Sequence, residues 1–378
     1  MTNALCAGPG HSWVELDAAT MLDNLRALRA ALPAGADLML VVKADAYGHG
    51  ASEIARRAAA ANVRRFAVAH AQEARGVRAA APEADILVLG AVTPEEVPLL
   101  AAERVAVAVV DYPHGRALAE AARHAGSRLL AHLKVDSGMG RLGFHWENAV
   151  DEAAPLFQER GLDIVGVFTH FARVENGEDD PDARRQMARF VPVADALDAR
   201  AGRRLFRHAA NSRAWMFHPE WGFDAVRPGL AFYGYDTETA GGRFRTRPIL
   251  QWKTRVIQVR RVPAGFSVGY DGTYVTPAPT TMAVLGAGYA DGYPRALSGR
   301  GTVLIGGRRC SVLGRVSMNW IAADAGPDAS VRVGEEAVLI GRQGGAEIWA
   351  DDLASGADTI PYEILVGIHP ALPRRWTE

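Results

Sequence analysis

The first two thirds of the chain alternate between short apolar segments and alanine-rich amphipathic segments, and this alternation most constrains the fold. Eight apolar runs of strand length end near Lys43, His70, Gly90, Val110, Val135, His170, Ala209 and Arg227. The stretches between them have helical character, as at 51–61, 71–80, 94–102 and 182–200. Strands that alternate with helices form parallel sheets, and eight of them predict a (β/α)8 TIM-like barrel.

The last third of the chain has a different pattern. From about residue 241 the alanine-rich stretches disappear, and strand-like runs follow at 254–262, 281–285, 302–305 and 336–340, separated by Gly and Pro clusters. Because such a barrel takes about 250 residues, the 378 residues of the chain leave room for a further domain. We predict an α/β barrel over 13–242 and a mainly β C-terminal domain over 243–378. Residues 1–12 are candidates for association with the second domain.

Composition and charge exclude several classes of protein. Hydrophobic residues make up 49% of the chain, and the net charge of −1 indicates neither a nucleic-acid partner nor an anionic membrane. The two cysteines, Cys6 and Cys310, provide neither a disulfide framework nor the spacing of a metal site. Residues 1–12 lack a signal-peptide pattern, and no apolar run is long enough to cross a bilayer. We therefore expect a cytoplasmic protein without a metal ion or a membrane association.

Lys43 follows an apolar run, 38–42, and precedes a loop of Tyr, Gly, His and Gly. Partial desolvation at the end of a buried strand lowers the pKa of an ammonium group, because burial disfavours the charged form. An unprotonated amine is what a lysine needs to form a Schiff base with a carbonyl compound. The alternative is a lysine that extends from the strand end into solvent.

Further polar residues fall at the carboxyl ends of the predicted strands, where chemistry gathers in this fold. These residues are Arg141, His170, Asn211, Ser212, Arg227, Gly229 and Leu230. Turns after the seventh and eighth strands usually bind phosphate, and a reactive lysine facing a phosphate site indicates pyridoxal 5′-phosphate (PLP). Each residue also has a structural alternative, such as a buried core histidine, a helix cap, an ion pair or a tight turn.

These residues stand in segments that resemble the motifs of the alanine racemase family. Residues 41–50 resemble its PLP-attachment motif, and further motifs are matched in the expected order at 132–143, 169–172, 227–230, 269–270, 288–295, 314–318 and 362–363. The resemblance covers nearly the whole chain. It implies a PLP-dependent racemase that interconverts L-alanine and D-alanine and supplies D-alanine for peptidoglycan. It also implies a homodimer whose active sites take residues from both chains.

The resemblance assigns roles to individual residues. Lys43 carries PLP and is the base on one face of the substrate, and Tyr270 of the partner subunit is the base on the other face. Cofactor contacts are assigned to Tyr47, His170, Asn211, Ser212, Arg227, Gly229, Leu230 and Tyr362. Substrate contacts are assigned to Arg141, Met318 and Tyr289. Arg227 is expected to face the pyridine nitrogen, and with His170 to favour the phenolate form of Tyr270.

Two further expectations follow from the resemblance. Lys134 matches a position that is carbamylated in some family members, and a carbamate there can pair with Arg141. The expected polar corridor at the outer entrance consists of Glu175, His208, Arg295 and Arg315.

Three alternatives to an alanine racemase remain open at this point. Asn319 replaces an Asp that many members carry, which favours a broad-specificity amino-acid racemase, whereas Tyr362 argues against it. A PLP-dependent decarboxylase of the same architecture uses a cysteine of the second domain, where Cys310 is the candidate. A PLP carrier without catalytic activity needs only the barrel, and a second domain with Tyr270 argues against that reading.

Overall fold

A computed structural model describes residues 10–174, 180–235 and 243–378. The described residues fall into two compact units. The barrel unit contains Leu22–Ala46 and Ala51–Arg247, and the β unit contains the segment ending at Met21, together with Tyr47–Gly50 and Pro248–Glu378. Within the described ranges no helix is both long and apolar enough to cross a membrane.

The first ten strands in chain order include the eight strands of the barrel. They are β1 (Ser12–Asp17), β2 (Asp37–Val41), β3 (Arg65–Val68), β4 (Asp85–Val88), β5 (Val105–Val109), β6 (Leu129–Asp136), β7 (Phe144–His145), β8 (Leu162–Phe168), β9 (Phe206–His208) and β10 (Ala225–Val226). The barrel strands pair in parallel in the order β10-β2-β3-β4-β5-β6-β8-β9, and β7 pairs with β6. A bridge between Asn211 and Arg227, which follow β9 and β10, closes the sheet.

Helices alternate with the barrel strands. They are α1 (Ala18–Ala30), the single turn α2 (Lys43–Tyr47), α3 (Ala51–Ala60), α4 (Ala71–Ala80), α5 (Val97–Ala102), α6 (Tyr112–His124), α7 (Ala149–Ala153), α8 (Pro181–Ala201) and α9 (Ser212–Phe217). Local sequence sets several of their ends. Asp111 caps α6 by accepting a hydrogen bond from the His114 N–H at 2.8 Å, and Gly202 ends α8 with φ of 65°.

Most of the barrel strands are predominantly apolar because a parallel sheet covered by helices is buried on both faces. In β4, Ile86, Leu87 and Val88 are all buried, and in β5 the same holds for Val107 and Val109. This burial explains why most of the barrel strands are visible in the sequence as apolar runs.

The β unit contains the remaining strands and two helices. They are β11 (Leu250–Val262), β12 (Ser267–Val268), β13 (Tyr274–Val275), β14 (Thr280–Leu285), β15 (Thr302–Ile305), β16 (Arg308–Leu313), β17 (Ile321–Gly326), β18 (Glu336–Gln343), β19 (Ala346–Ile348), β20 (Arg374–Thr377), α10 (Ala350–Ala357) and α11 (Pro361–Gly367). Its nine-stranded sheet has the order β19-β18-β15-β16-β17-β14-β11-β1-β20. The predicted TIM-like barrel and mainly β second domain are therefore confirmed.

The observed units differ from the predicted ranges 13–242 and 243–378 near the N-terminus. β1 pairs antiparallel with β11, with Ser12 opposite Thr254, and parallel with β20, with Val14 opposite Arg374. Residues 13–21 thus belong to the β unit and not to the barrel. A local pattern of six residues shows that a strand forms, but it does not show which strand more than 230 positions away will pair with it.

Tyr47–Gly50 also belongs to the β unit. A Cβ at Gly48, whose φ is 79°, would lie 2.3 Å from the Leu365 carbonyl oxygen, so only glycine permits this approach. Arg374 Nε donates a hydrogen bond to the Gly48 carbonyl at 3.0 Å. The prediction placed this whole segment in the barrel because it directly follows a barrel strand.

Candidate active site

Lys43 begins a turn of unusual handedness just after β2. Ala44, Asp45, Ala46 and Tyr47 all have φ between 51° and 54°, the left-handed region that costs residues other than glycine roughly 1–2 kcal/mol each. Two hydrogen bonds hold the turn. The Ala46 N–H donates to the Val42 carbonyl at 2.9 Å, and the Asp45 carboxylate accepts from the Ala51 N–H at 2.7 Å. Four consecutive residues in this conformation indicate that surrounding contacts impose the turn.

Glu73 is one of the residues that impose it. Its carboxylate accepts hydrogen bonds from the N–H groups of Ala44 at 2.6 Å, Ala69 at 2.7 Å and His70 at 3.1 Å. Glu73 lies in the first turn of α4, where a carboxylate commonly caps the helix. Here the same group also ties the residue after Lys43 to the end of β3.

The environment of Lys43 favours its neutral form. Burial lowers the pKa of the Lys43 ammonium, the positive charge of Arg141 lowers it further, and the negative charge of Glu73 partly opposes both. A lysine with a lowered pKa at the carboxyl end of a barrel strand has the properties of a nucleophile that forms a covalent bond with a carbonyl group.

Asp136 shapes the loop that carries Arg141. Its carboxylate accepts hydrogen bonds from four successive N–H groups, those of Gly138, Met139, Gly140 and Arg141, at 2.8 to 3.1 Å. Burial alone raises the pKa of the Asp136 carboxyl, but these four donors hold it below its usual value. Asp136 is therefore an anion at neutral pH, and its loop follows β6 at the carboxyl end of the barrel.

Arg227 lies buried at the end of β10 and holds three neighbouring strand ends together. Its Nη2 lies 2.9 Å from the carbonyl oxygens of Thr169 and Ala209 and 3.3 Å from His170 Nδ1, and its Nη1 lies 2.8 Å from His208 Nδ1. Burial lowers the pKa of Arg227 to about 9, so the guanidinium stays protonated at neutral pH. It acts only as a donor in all these contacts.

His170 is neutral at this site. Burial lowers the pKa of its imidazole well below the usual value, and the cations Arg227, Arg141, Lys134 and Lys43 lower it further. Because Arg227 can only donate to Nδ1, the neutral ring carries its proton on Nε2. His170 therefore presents an N–H donor away from Arg227.

His208 lies on the other side of Arg227, and this position corrects its predicted place in an outer corridor. It is completely buried, and its ring stacks on Phe168 with 4.8 Å between ring centres. Its Nε2 lies 2.9 Å from Nδ1 of His132, a second buried histidine. The prediction was wrong because a strand as short as β9 has too few residues for its sequence pattern to show which side of the sheet His208 faces.

Lys134 is buried among cations. Burial lowers the pKa of its ammonium to about 8, and Arg141 and Arg227 contribute to the shift. Its Nζ lies 5.6 Å from the centre of the Phe168 ring. Because burial and the nearby cations disfavour the ammonium form relative to an ordinary lysine, carbamylation of Lys134 stays a prediction with a physical reason.

The turns after β9 and β10 form one polar cluster. Ser212 Oγ accepts hydrogen bonds from the N–H groups of Gly229 at 3.0 Å and Ala231 at 3.4 Å, so its own proton is left to donate to an anion. The Asn211 side chain caps α9 by accepting from the Ala214 N–H at 2.9 Å. Leu230 stands between Gly229 and Ala231 in the sequence, and its side chain is buried.

The predicted site residues of the β unit include two pairs of neighbours, Tyr47 with Tyr362 and the Tyr289 segment with the Met318 segment. Tyr47 and Tyr362 have ring centres 5.9 Å apart. The Tyr289 N–H donates to the Ser317 carbonyl at 3.1 Å, and the next residue, Ala290, bonds to the carbonyl of Met318 at 2.8 Å. A Cβ at Gly288 would lie 2.3 Å from the Ser317 oxygen, so this approach requires glycine.

Tyr270 lies in a short 3-10 turn of the β unit and is 67% exposed. Its neighbour Asp271 forms an ion pair of 3.1 Å with Arg315. Arg295, also expected in the outer corridor, is exposed, and Glu175 lies outside the described residues. The Tyr270 ring is therefore largely exposed, and its assignment to the active site of a partner subunit stays a prediction.

Comparison with known proteins gives a consistent result. Profiles of the alanine racemase N-terminal and C-terminal domains match residues 16–237 and 249–376. Alanine racemase of Symbiobacterium thermophilum is 42% identical over 364 residues, which cover 96% of each chain. That of Desulfosudis oleivorans is 40% identical over 375 residues, again 96% of each chain. The chain belongs to the alanine racemase family.

Solved structures of alanine racemases have the same fold. The enzyme from Streptomyces coelicolor A3(2) matches with a TM-score of 0.91 and 36% identity, covering 100% of both chains. The Bartonella henselae alanine racemase, solved with covalently bound pyridoxal phosphate, matches with a TM-score of 0.86 and 27% identity over 98% of this chain and 100% of that one. The recognition of the family and the prediction of an isomerase are thus confirmed.

Membership in the alanine racemase family also bears on Cys310. This thiol is buried in β16, and burial raises its pKa, so the thiolate is disfavoured. A proton donor must reach the substrate, and a buried thiol within a strand does not meet that requirement. Cys310 is therefore unsuited to the role that the decarboxylase alternative assigns to it.

Several residues of this alanine racemase site were not predicted from the sequence. Glu73, Asp136 and Gln186 act through backbone hydrogen bonds, and His132 acts behind Arg227. Glu73 carries a recognisable signal, a glutamate at the third position of a helix. Gln186 carries none, because it projects from α8 to the Ala172 N–H at 2.9 Å only after the chain has folded.

Proposed function

We propose that the protein interconverts L-alanine and D-alanine with PLP bound at Lys43, by a two-base mechanism. The observation that carries the proposal is the lowered pKa of Lys43 at the carboxyl end of a barrel strand, beside the cation Arg141. Family membership adds the substrate, since the relatives are alanine racemases.

The residues at the strand ends fit PLP. Lys43 offers an amine for the aldehyde carbon, and Ser212 has a hydroxyl proton to donate to a phosphate because its oxygen already accepts two N–H groups. Tyr47, Asn211, Gly229, Leu230 and Tyr362 are proposed to complete the phosphate site. When bound, PLP supplies a conjugated ring that stabilises negative charge at the substrate α-carbon.

Arg227 is proposed to contact the pyridine nitrogen. A guanidinium donates hydrogen bonds but scarcely gives up its proton, and the carbonyl oxygens of Thr169 and Ala209 hold Arg227 in its charged form. Facing Arg227, a pyridine nitrogen would receive a hydrogen bond without gaining a proton, so Arg227 would moderate the electron-withdrawing power of the bound ring and thereby limit side reactions.

Two bases on opposite faces of the α-carbon are what racemisation requires, because one removes the proton and the other returns one. Lys43 is proposed as one base and Tyr270 of the partner subunit as the other. The N–H of His170 Nε2 is suited to donate to a phenolate oxygen. Arg141, Met318 and Tyr289 are proposed to hold the substrate carboxylate and to limit the size of the side chain.

The deciding experiment follows the α-proton of each alanine enantiomer in D₂O by NMR, together with a chiral assay of the product. The wild-type holoenzyme should exchange the proton of both enantiomers and interconvert them. The Tyr270→Phe holoenzyme should still exchange the proton of one enantiomer through Lys43 but form almost no opposite enantiomer. Equal loss of exchange for both enantiomers, with PLP still bound, would contradict the two-base assignment.

A second candidate is a broad-specificity amino-acid racemase of the same fold. Asn319 is exposed next to Met318, and it removes a negative charge that many family members carry. Racemisation of lysine or arginine at a rate comparable to alanine would support this candidate. We favour alanine because Tyr362 and Tyr289 are both present.

The proposed cellular role is the supply of D-alanine for peptidoglycan in the cytoplasm, by a homodimer. This role rests on the family alone. If it holds, cells depleted of the protein should need external D-alanine for growth, and the need should disappear when an active copy is restored.

A further inference from the structure

A cavity of about 230 Å³ lies at the amino-terminal end of the barrel strands, the end opposite Lys43. Its walls are mainly apolar. The apolar lining side chains are Met39, Ile86, Leu87, Ala106, Leu130, Val165 and Phe206. Arg65, Asp85 and Arg104 lie at the edge of the cavity, and His132 lies furthest from the amino-terminal end of its strand. Asp85 and Arg104 are exposed, so the cavity opens to solvent between charged groups.

The charges at the edge are largely balanced. Arg65 forms ion pairs with Asp85 and, at 3.1 Å, with Asp37, and its guanidinium lies 4.8 Å from the centre of the Phe206 ring. A strongly charged molecule therefore gains little here. Cavities of about 150 Å³ lined by apolar side chains bind benzene, so this one has room for an aromatic ring with a substituent.

His132 offers one directed hydrogen bond to this cavity. Arg227 can only donate, so His208 Nδ1 accepts and His208 Nε2 carries the proton. That N–H donates to His132 Nδ1 at 2.9 Å, and the neutral His132 ring must then carry its proton on Nε2. Burial and the nearby arginines keep the pKa of His132 at about 3, so the ring is neutral.

The Nε2–H group of His132 has no hydrogen-bond partner among the described residues. The ring lines the cavity and is 6% exposed. Gly166 on the neighbouring strand fixes the ring, since a Cβ there would lie 2.3 Å from His132 Nδ1. A donor held this firmly in the wall of the cavity can hydrogen-bond to an acceptor bound there.

We propose that this cavity is a second small-molecule site, which takes a neutral, phenol-sized molecule with one hydrogen-bond acceptor, and that its occupancy is transmitted through His132 and His208 to Arg227. The chain of hydrogen bonds runs along the barrel interior from one end to the other. An acceptor at His132 Nε2 polarises the ring, which strengthens Nδ1 as an acceptor for the His208 N–H. The same change reaches Nδ1 of His208 and hence Arg227.

The test uses the purified full-length chain with ¹⁵N-labelled histidine and titrates it with phenol, while NMR records the ring N–H signals of His132 and His208. The signals are assigned with His132→Gln and His208→Gln. Phenol should bind saturably and shift the His132 Nε2–H signal. Toluene has the same shape but no acceptor, and should bind roughly fivefold or more weakly.

Matched variants locate the binding. Ala106→Leu and Val165→Phe fill the cavity from two different walls, and each should weaken phenol binding roughly tenfold or more. Ala60→Leu, at an exposed position of α3, makes the same change as the first variant outside the cavity and should leave binding unchanged. Circular dichroism checks that each variant is folded, and two filling variants keep the test valid if one of them is not.

Absence of saturable phenol binding, or binding that both filling variants leave intact, would overturn the proposed site. Binding that shifts the His132 signal but leaves the His208 Nε2–H signal unchanged would overturn the transmission to Arg227. None of these readouts depends on catalytic activity or on bound PLP. A negative result would therefore overturn the proposed cavity site without affecting the proposed function.

Discussion

At the scale of single residues, Glu73 shows how a side chain outside the reaction can position a catalytic group. Its carboxylate accepts three backbone N–H groups, one of them next to Lys43. Because the turn after Lys43 is left-handed at four residues without glycine, these contacts offset an intrinsic conformational cost.

We expect Glu73→Ala to lower the free energy of unfolding by about 1–3 kcal/mol, since three backbone donors lose a charged acceptor. Glu73→Gln should have a smaller effect on stability, but it should lower the pKa of Lys43, because the negative charge that raises this pKa is removed. Urea unfolding measures the first effect. The pH dependence of Lys43 acylation in cofactor-free protein, followed by mass spectrometry, measures the second.

Glu83 provides the control, since it is an exposed glutamate in the loop that follows the same helix. Glu83→Ala should change neither stability nor the reactivity of Lys43. A pKa of Lys43 that rises in Glu73→Gln would contradict the electrostatic account.

At the scale of elements, strands β6, β8 and β9 carry the relay behind Arg227. His132 and His208 lie on β6 and β9, and the glycine of β8 between them leaves space for the His132 ring. Glycine within a strand often marks such a close approach. The strands therefore do more than enclose a core, since they align a row of hydrogen bonds along the barrel.

This row makes stability depend on pH. Burial lowers the pKa of His132 to about 3 and that of His208 well below its usual value. In the unfolded chain both groups bind protons near their ordinary pKa of about 6.5, so the unfolded state gains protons first as the pH falls. Stability should therefore decrease below about pH 6.5, by up to about 1.4 kcal/mol per pH unit for each buried histidine.

The measurement is denaturant unfolding between pH 7 and pH 4. His132→Asn should show a flatter pH dependence than the wild-type protein, whereas His124→Asn, at an exposed helix end, should follow it. Parallel curves for His132→Asn and the wild type would show that His132 is not held neutral in the folded chain.

At the scale of the whole molecule, the β unit exposes several large apolar side chains. Tyr270, Met318 and Trp320 are 67%, 55% and 55% exposed, and Ile360 and Val366 are exposed as well. Large apolar side chains that are exposed on one subunit are candidates for burial in a protein interface. They support the proposed homodimer, in which each subunit provides Tyr270 to its partner.

A mixing experiment tests shared active sites. Lys43→Ala and Tyr270→Ala are each expected to be inactive. If the two chains are unfolded together and refolded, a mixed dimer has one site with intact Lys43 from one chain and intact Tyr270 from the other. Activity should return to about a quarter of the wild-type value, because about half of the dimers are mixed and each has one intact site of two. If both residues served the same chain, no activity would return.

Much of the fold, and the position of the candidate site residues at strand ends, could be predicted because the signals are local. Most barrel strands are buried on both faces and form apolar runs in the sequence, and the polar residue that follows such a run, such as Lys43, His170 or Arg227, stands at a visible boundary. The β unit was recognisable because strand-like runs, such as those that form β15 and β18, replace the alanine-rich stretches of the barrel. These features depend on residues within a few positions of each other.

The features that only the tertiary structure decided depend on residues far apart in the chain. The pairing of β1 with β11 joins Ser12 to Thr254, the left-handed turn after Lys43 relies on Glu73, and the relay joins His132, His208 and Arg227. His208 was misplaced for this reason, since three residues of strand do not show which neighbour a ring will meet. The sequence by itself determined where strands end and which residues stand there, because burial and periodicity are local properties. Hydrogen-bond partners were decided by folding, because a donor and an acceptor meet only when packing brings distant segments within about 3 Å.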